Sequence, residues 1–226
     1  MPNTVPERTA FKNAVTLIAN KYNAFLVNNP NLNALLASST AQFDSMVTFM
    51  DGNAFAVQLH LSGLGHAAAT CQVNGYTSYT TNPPHIYINR AHATPSTYIH
   101  ELLHFLTHDT FKREIPVRLM EGTTEYFTRK VQNFADPVVH AAFVGPRQSY
   151  DTELNEINQA RHFLKSFVVP MLPTIRTQPT GFGRQRGAGF MADPLDGLPV
   201  VRDFMKKAYF AGDMEAIRFL KKVMGQ

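Results

Sequence analysis

The residues best equipped for chemistry sit near the middle of the chain, where His100-Glu101-Leu102-Leu103-His104 reads H-E-x-x-H. In a helix, residues four apart share one face, so both imidazoles can reach a single ion. Zinc suits such a pair, because it accepts imidazole and carboxylate ligands tetrahedrally and has no redox chemistry of its own. Glu101, next to the first imidazole, is placed to hydrogen-bond a metal-bound water and to remove its proton as that water attacks a carbonyl. With nine histidines and eight glutamates in 226 residues, chance would give the motif in about one such chain in a hundred. The surroundings add weight. Ile99, Leu102, Leu103, Phe105 and Leu106 would bury the helix, and Thr94-Pro95-Ser96 supplies its start with a capping hydroxyl and a proline where no N–H is needed.

A catalytic zinc of this kind takes a third protein ligand and leaves one position open. The metzincin pattern would place a glycine and a third histidine where this chain has Thr107 and Thr110, which excludes that class. His108 continues the four-residue series but lies two turns from His100, too far to close a site with both on a straight helix. It reads as a histidine near a helix end. Pro116 opens a further helix, to about Asn133, which an αα connection would lay against the first.

That second helix carries Leu119-Met120-Glu121-Gly122-Thr123-Thr124-Glu125-Tyr126-Phe127. The run resembles the glutamate-bearing helix of gluzincins, the zincins whose third ligand is a glutamate, such as thermolysin and the zinc aminopeptidases. In the aminopeptidase-like members the glutamate before the glycine is the ligand, which implies Glu121 here. Resemblance to thermolysin, with its acidic residue four after the ligand, implies that Glu125 orients a ligating histidine. On spacing alone the two roles can be exchanged, since Glu121 lies 17 and Glu125 lies 21 residues beyond His104. The resemblance spans about residues 85–135. It implies a zinc peptidase acting on peptide or protein substrates. No Gly-x-Met-Glu-Asn-type segment for gripping a free N-terminus is recognisable, and Phe105-Leu106 stands where the aminopeptidases usually have Gln-Trp, so endopeptidase action is expected. A non-catalytic binding module with a structural zinc is the alternative. Zincin sheets generally place an edge strand beside the cleft, where it takes up extended peptide, and His85–Asn89 is expected to fill that place. The candidates for the oxyanion donor are Tyr150, Arg161 and His162; no motif chooses between them, and each taken singly reads more readily as a packing residue.

The elements that must position these groups read as an α+β, zincin-like fold. An N-terminal helix and a small, mostly antiparallel sheet would lead into the active-site helix, followed by a mainly helical C-terminal lobe. Apolar residues at helical spacing predict a first helix from Glu7 to about Val27, ended by Asn28-Asn29-Pro30, with a short helix over Leu32–Ala37. Met46–Met50, the turn Asp51-Gly52-Asn53 and Ala54–Leu61 predict a β-hairpin. Residues 67–73 and His85–Asn89 would complete about four strands. Helices are also expected over 151–168, 198–209 and 213–224, with a glycine-rich loop over 174–197. The lobes divide as residues 1–110, holding the sheet and metal helix, and 111–226, supplying the third ligand, together one catalytic unit.

Composition bounds the rest. At 44% apolar and 17% charged residues the chain is of globular type. One cysteine, Cys71, excludes an internal disulfide and an all-cysteine metal site, and reads as a small buried hydrophobe. The net charge of +4 gathers in residues 111–226, with 17 basic and 12 acidic side chains, but it is scattered rather than laid out as a nucleic-acid stripe. No run approaches the ~18 apolar residues of a membrane span, and the first residues lack the pattern of a secretory signal. The expected setting is the cytoplasm, or export without an ordinary signal peptide, as for toxin-like effector proteases.

Overall fold

The computed structural model describes residues 2–64, 73–135 and 199–223. Helix α1 (Val5–Leu26) starts on a capping box, in which the Thr4 side chain accepts from the Glu7 N–H and Glu7 reaches back to the Thr4 N–H. Its buried face is Phe11, Ala14, Val15, Ile18, Tyr22 and Leu26, the helical spacing seen in the sequence. Asn29 caps α2 (Pro30–Leu36), and Ser39 with Gln42 forms the capping box of α3 (Thr40–Met46).

The segment after β1 (Val47–Met50) corrects the expected hairpin. Residues 54–61 belong to helix α4 (Gly52–Leu61), whose N-terminus is capped by Asp51 accepting from the Ala54 N–H. Phe55, Val57, Leu59 and Leu61 alternate as in a strand, yet Phe55 and Leu59 are also one helical turn apart. The helix buries that pair and leaves Val57 and Leu61 exposed. An aspartate that can satisfy an orphan N–H decides between two periods that the apolar residues fit equally.

Among the described residues the sheet has three strands, not four, in the order β1-β3-β2, where β2 is Gly75–Ser78 and β3 is His85–Asn89. β1 runs parallel to β3 with Val47 opposite Ile86, and β2 runs antiparallel to β3 with Gly75 opposite Ile88. The sheet is therefore mixed, because α4 carries the chain back across it after β1. Of the expected strand at 67–73, residues 67–72, including Cys71, lie outside the described residues, as do the helix at 151–168 and the whole of the loop at 174–197.

Ile86 and Ile88 are fully buried on one face of β3, while Tyr87 on the other face stacks on Tyr76, which packs against Phe55 of α4. Phe11 and Phe49 meet Tyr98 of α5 (Pro95–Leu106), the helix that carries the H-E-x-x-H residues, in a cluster with ring centroids 5.6–6.4 Å apart. Three helices follow: α6 (Asp109–Glu114), which the sequence reading did not foresee, α7 (Val117–Ala135) and, later, α8 (Pro199–Ala211). Helix α9 (Met214–Val223) follows Gly212, whose φ of +63° lies in the left-handed region that glycine tolerates.

Two compact units are distinguished. The first contains the sheet, α1 to α5 and α7 from Thr124 onward; the second contains residues 108–123 and 199–223. In the second, Phe111 packs on Tyr209 at 5.1 Å and the His108 N–H bonds the Tyr209 carbonyl at 2.9 Å. Among the described residues, no helix is long and apolar enough to cross a membrane.

Candidate metal centre

Helix α5 begins as the sequence predicts. Thr94 is its cap, in a capping box with Thr97, and Pro95 occupies the first turn. Its other end is tied more thoroughly than any sequence pattern suggested. The last four carbonyls of a helix have no partner within it. Here the Leu103 carbonyl accepts from Thr107 Oγ1 at 2.8 Å and the His104 carbonyl from Tyr79 OH at 3.2 Å. The Phe105 carbonyl accepts from Asn31 Nδ2 and the Leu106 carbonyl from Asn29 Nδ2, both at 3.0 Å. The two asparagines belong to the α1–α2 junction and the first turn of α2, so the helix carrying both imidazoles is pinned by the N-terminal region.

His100, Glu101 and His104 are buried, at 4%, 6% and 5% exposure. The two Nε2 atoms lie 3.1 Å apart. Nitrogens bonded at ~2.05 Å to one tetrahedral zinc would be about 3.3 Å apart, so the pair already has close to the spacing of a chelate. The opposite ring nitrogens face α7. His100 Nδ1 is 3.2 Å from Glu125 Oε2, and His104 Nδ1 is 3.4 Å from Thr124 Oγ1. An ionised carboxylate can only accept, so His100 donates from Nδ1 and turns the lone pair of its Nε2 toward His104. Glu125 is 1% exposed, and its other oxygen accepts from Arg129 Nε at 2.8 Å, which satisfies a charge that would be costly to bury alone.

Glu121, half-buried, precedes Glu125 by one turn on the same continuous helix. Its carboxylate and the ring nitrogens of His100 and His104 offer one ligand atom each, all within 4.8 Å of one another. Two imidazoles and one carboxylate form a donor set that matches a catalytic zinc.

Glu101 points toward the sheet edge. The Thr77 hydroxyl on β2 lies 3.0 Å from Glu101 Oε2 and 2.9 Å from the Glu101 carbonyl. Gly75, two residues earlier, makes the approach of strand to helix feasible. A Cβ there would stand 2.9 Å from Glu101 Cγ and 3.0 Å from Thr97 Cγ2.

The structure thus brings together His100, Glu101, His104, Glu121 and Glu125. Tyr150, Arg161 and His162 lie outside the described residues. His108 is exposed and caps α6, with Nδ1 accepting from the Thr110 N–H. The expected cleft-side edge strand is corrected as well. His85–Asn89 is the central strand, paired on both sides, and β2 is the strand beside Glu101. Thr77, Gly75, Thr124 and the capping asparagines were missed; only helical phase, which puts 124 and 125 on neighbouring faces of one turn, could have pointed to Thr124.

Comparison of the chain with family models, curated proteins and solved structures finds no match. The function must be argued from the site's own geometry.

Proposed function

We propose that the chain is a zinc-dependent endopeptidase of the gluzincin type, in which His100, His104 and Glu121 hold the metal and Glu101 is the general base. One observation carries this reading: an H-E-x-x-H pair and a downstream glutamate gather their ligand atoms within 4.8 Å. Both far ring nitrogens of the pair also have polar partners on α7. Zinc bound there supplies a Lewis acid that makes water acidic and polarises a carbonyl.

The chain's own groups do the rest. Glu125 holds the His100 ring with Nε2 facing the ligand set. Glu101, kept in place by Thr77, takes the proton of the attacking water and returns it to the leaving amine nitrogen as the peptide C–N bond breaks. Burial of Glu101 beside Thr77 keeps bulk water from competing for that proton. Among the described residues β2 is paired on one side only, and its other edge can pair with an extended peptide beside the same helix.

Glu101→Gln tests the reading. The variant is expected to keep one zinc per chain by native mass spectrometry while kcat for peptide cleavage falls about 100- to 10,000-fold; His100→Ala should lose the zinc. Unchanged cleavage by Glu101→Gln refutes the assigned base. A wild type that holds zinc yet cleaves nothing in a proteome-wide cleavage profile would instead be a module with a structural metal.

A further inference from the structure

We infer that Thr124 is the positioning residue of the second metal imidazole, holding the His104 ring through Nδ1 as Glu125 holds that of His100; the inference rests on the metal-site reading above. An imidazole that binds a metal through Nε2 carries its proton on Nδ1, and a buried N–H left without an acceptor costs about 1–3 kcal/mol. His104 is 5% exposed and Thr124 fully buried, and the Thr124 hydroxyl oxygen lies 3.4 Å from Nδ1.

Three threonines lie on this stretch of α7, and one of them reaches a ring of α5. Thr123 Oγ1 donates to the Leu119 carbonyl and Thr128 Oγ1 to the Thr124 carbonyl, both turned back onto their own helix. The Thr124 oxygen also faces the partner helix, 3.4 Å from His104 Nδ1. Residues 124 and 125 are consecutive, so their side chains leave α7 about 100° apart. One turn of α7 therefore reaches two rings that are themselves one turn apart on α5. The two rings are held by different acceptors, His100 by a carboxylate and His104 by a neutral hydroxyl, so they are unequal ligands. The carboxylate makes His100 the more basic donor, while the hydroxyl fixes the tautomer and tilt of His104 without adding a second buried charge.

The test is zinc affinity, measured on the full chain by competition with a chromogenic chelator, and it needs no catalytic turnover. Thr124→Val is expected to weaken zinc binding about 10- to 100-fold, and Thr124→Ser, which keeps the hydroxyl, to restore most of it. If Thr124→Val does not fold by circular dichroism, Thr124→Ala removes the same hydroxyl with a smaller side chain. Wild-type affinity in the hydroxyl-free variant overturns the inference while leaving the metal site standing. Equal weakening in the serine variant also overturns it, since the lost methyl would then be the cause. A wild type that binds no zinc overturns the metal site and the inference together.

Discussion

Replacing Gly75 with alanine places one methyl group where β2 meets α5. The added carbon would stand 2.9 Å from Glu101 Cγ, 3.0 Å from Thr97 Cγ2 and 3.2 Å from Ile88 Cδ1, against the ~3.5–4.0 Å of relaxed carbon contacts. Ile88 is fully buried and Thr97 nearly so, which leaves the Glu101 stem to move. Its nearest atom is Cγ rather than the carboxylate, so rotating the carboxylate end gives no relief. Over-packing of this kind costs about 1–3 kcal/mol, offset by roughly 0.4–1 kcal/mol because alanine restricts the unfolded chain. A net loss of about 1–2 kcal/mol would lower Tm by roughly 2–8 °C in a chain of this size. The effect on catalysis should be larger than on stability, because displacing a reacting group by ~1 Å costs about 100-fold. Thermal unfolding and steady-state cleavage by the zinc-loaded variant measure the two effects, and zinc content should be unchanged because no ligand is touched. Gly75→Ala with wild-type Tm and wild-type kcat would refute the claim that this glycine sets the position of the base.

Two further outcomes follow from the N-terminal region. Asn29→Ala removes the cap of α2 and the donor to the Leu106 carbonyl together, a loss of about 2–4 kcal/mol; urea unfolding should show a lower midpoint at constant m, and unchanged stability would refute the double role. The Arg8 guanidinium, against a smaller opposing effect of burial, holds the Asp44 carboxyl below its usual range, helped by Asn3. A depressed carboxyl contributes stability above its unfolded value of about 4 and loses it as pH falls through the folded value. Asp44→Asn should therefore be less stable than the wild type at neutral pH, with the gap closing below about pH 4; thermal scans across that range measure it, and a gap independent of pH counts against the pairing.

What could be read in advance was local. The cap at Thr94, the first helix, and the spacing of the two imidazoles all follow from residues within a few positions of one another. Val57 and Leu61 misled, because an amphipathic strand and a helix with an exposed apolar pair carry the same letters. The Asp51 side chain, not the apolar pattern, decides between them. The parallel pairing of β1 with β3 joins residues nearly 40 positions apart, and no short-range signal specifies it. That pairing makes His85–Asn89 the central strand. Helix α6 is six residues long, too short for a periodicity to declare itself, and depends on His108 as its cap. The groups around the motif, Thr77, Gly75 and Thr124, act through tertiary contact alone.

The bracing of the last turn of α5 bears on how an ion would be received. Helix ends ordinarily fray, and His104 lies only two residues from this one. With its closing carbonyls accepting from Asn29, Asn31, Tyr79 and Thr107, that turn has partners where a helix end ordinarily has none. On the proposed reading, the two imidazoles are therefore set at their spacing before any ion binds. Little of the binding free energy is diverted into ordering the chain, and stripping the metal should leave a vacant seat of nearly the same shape.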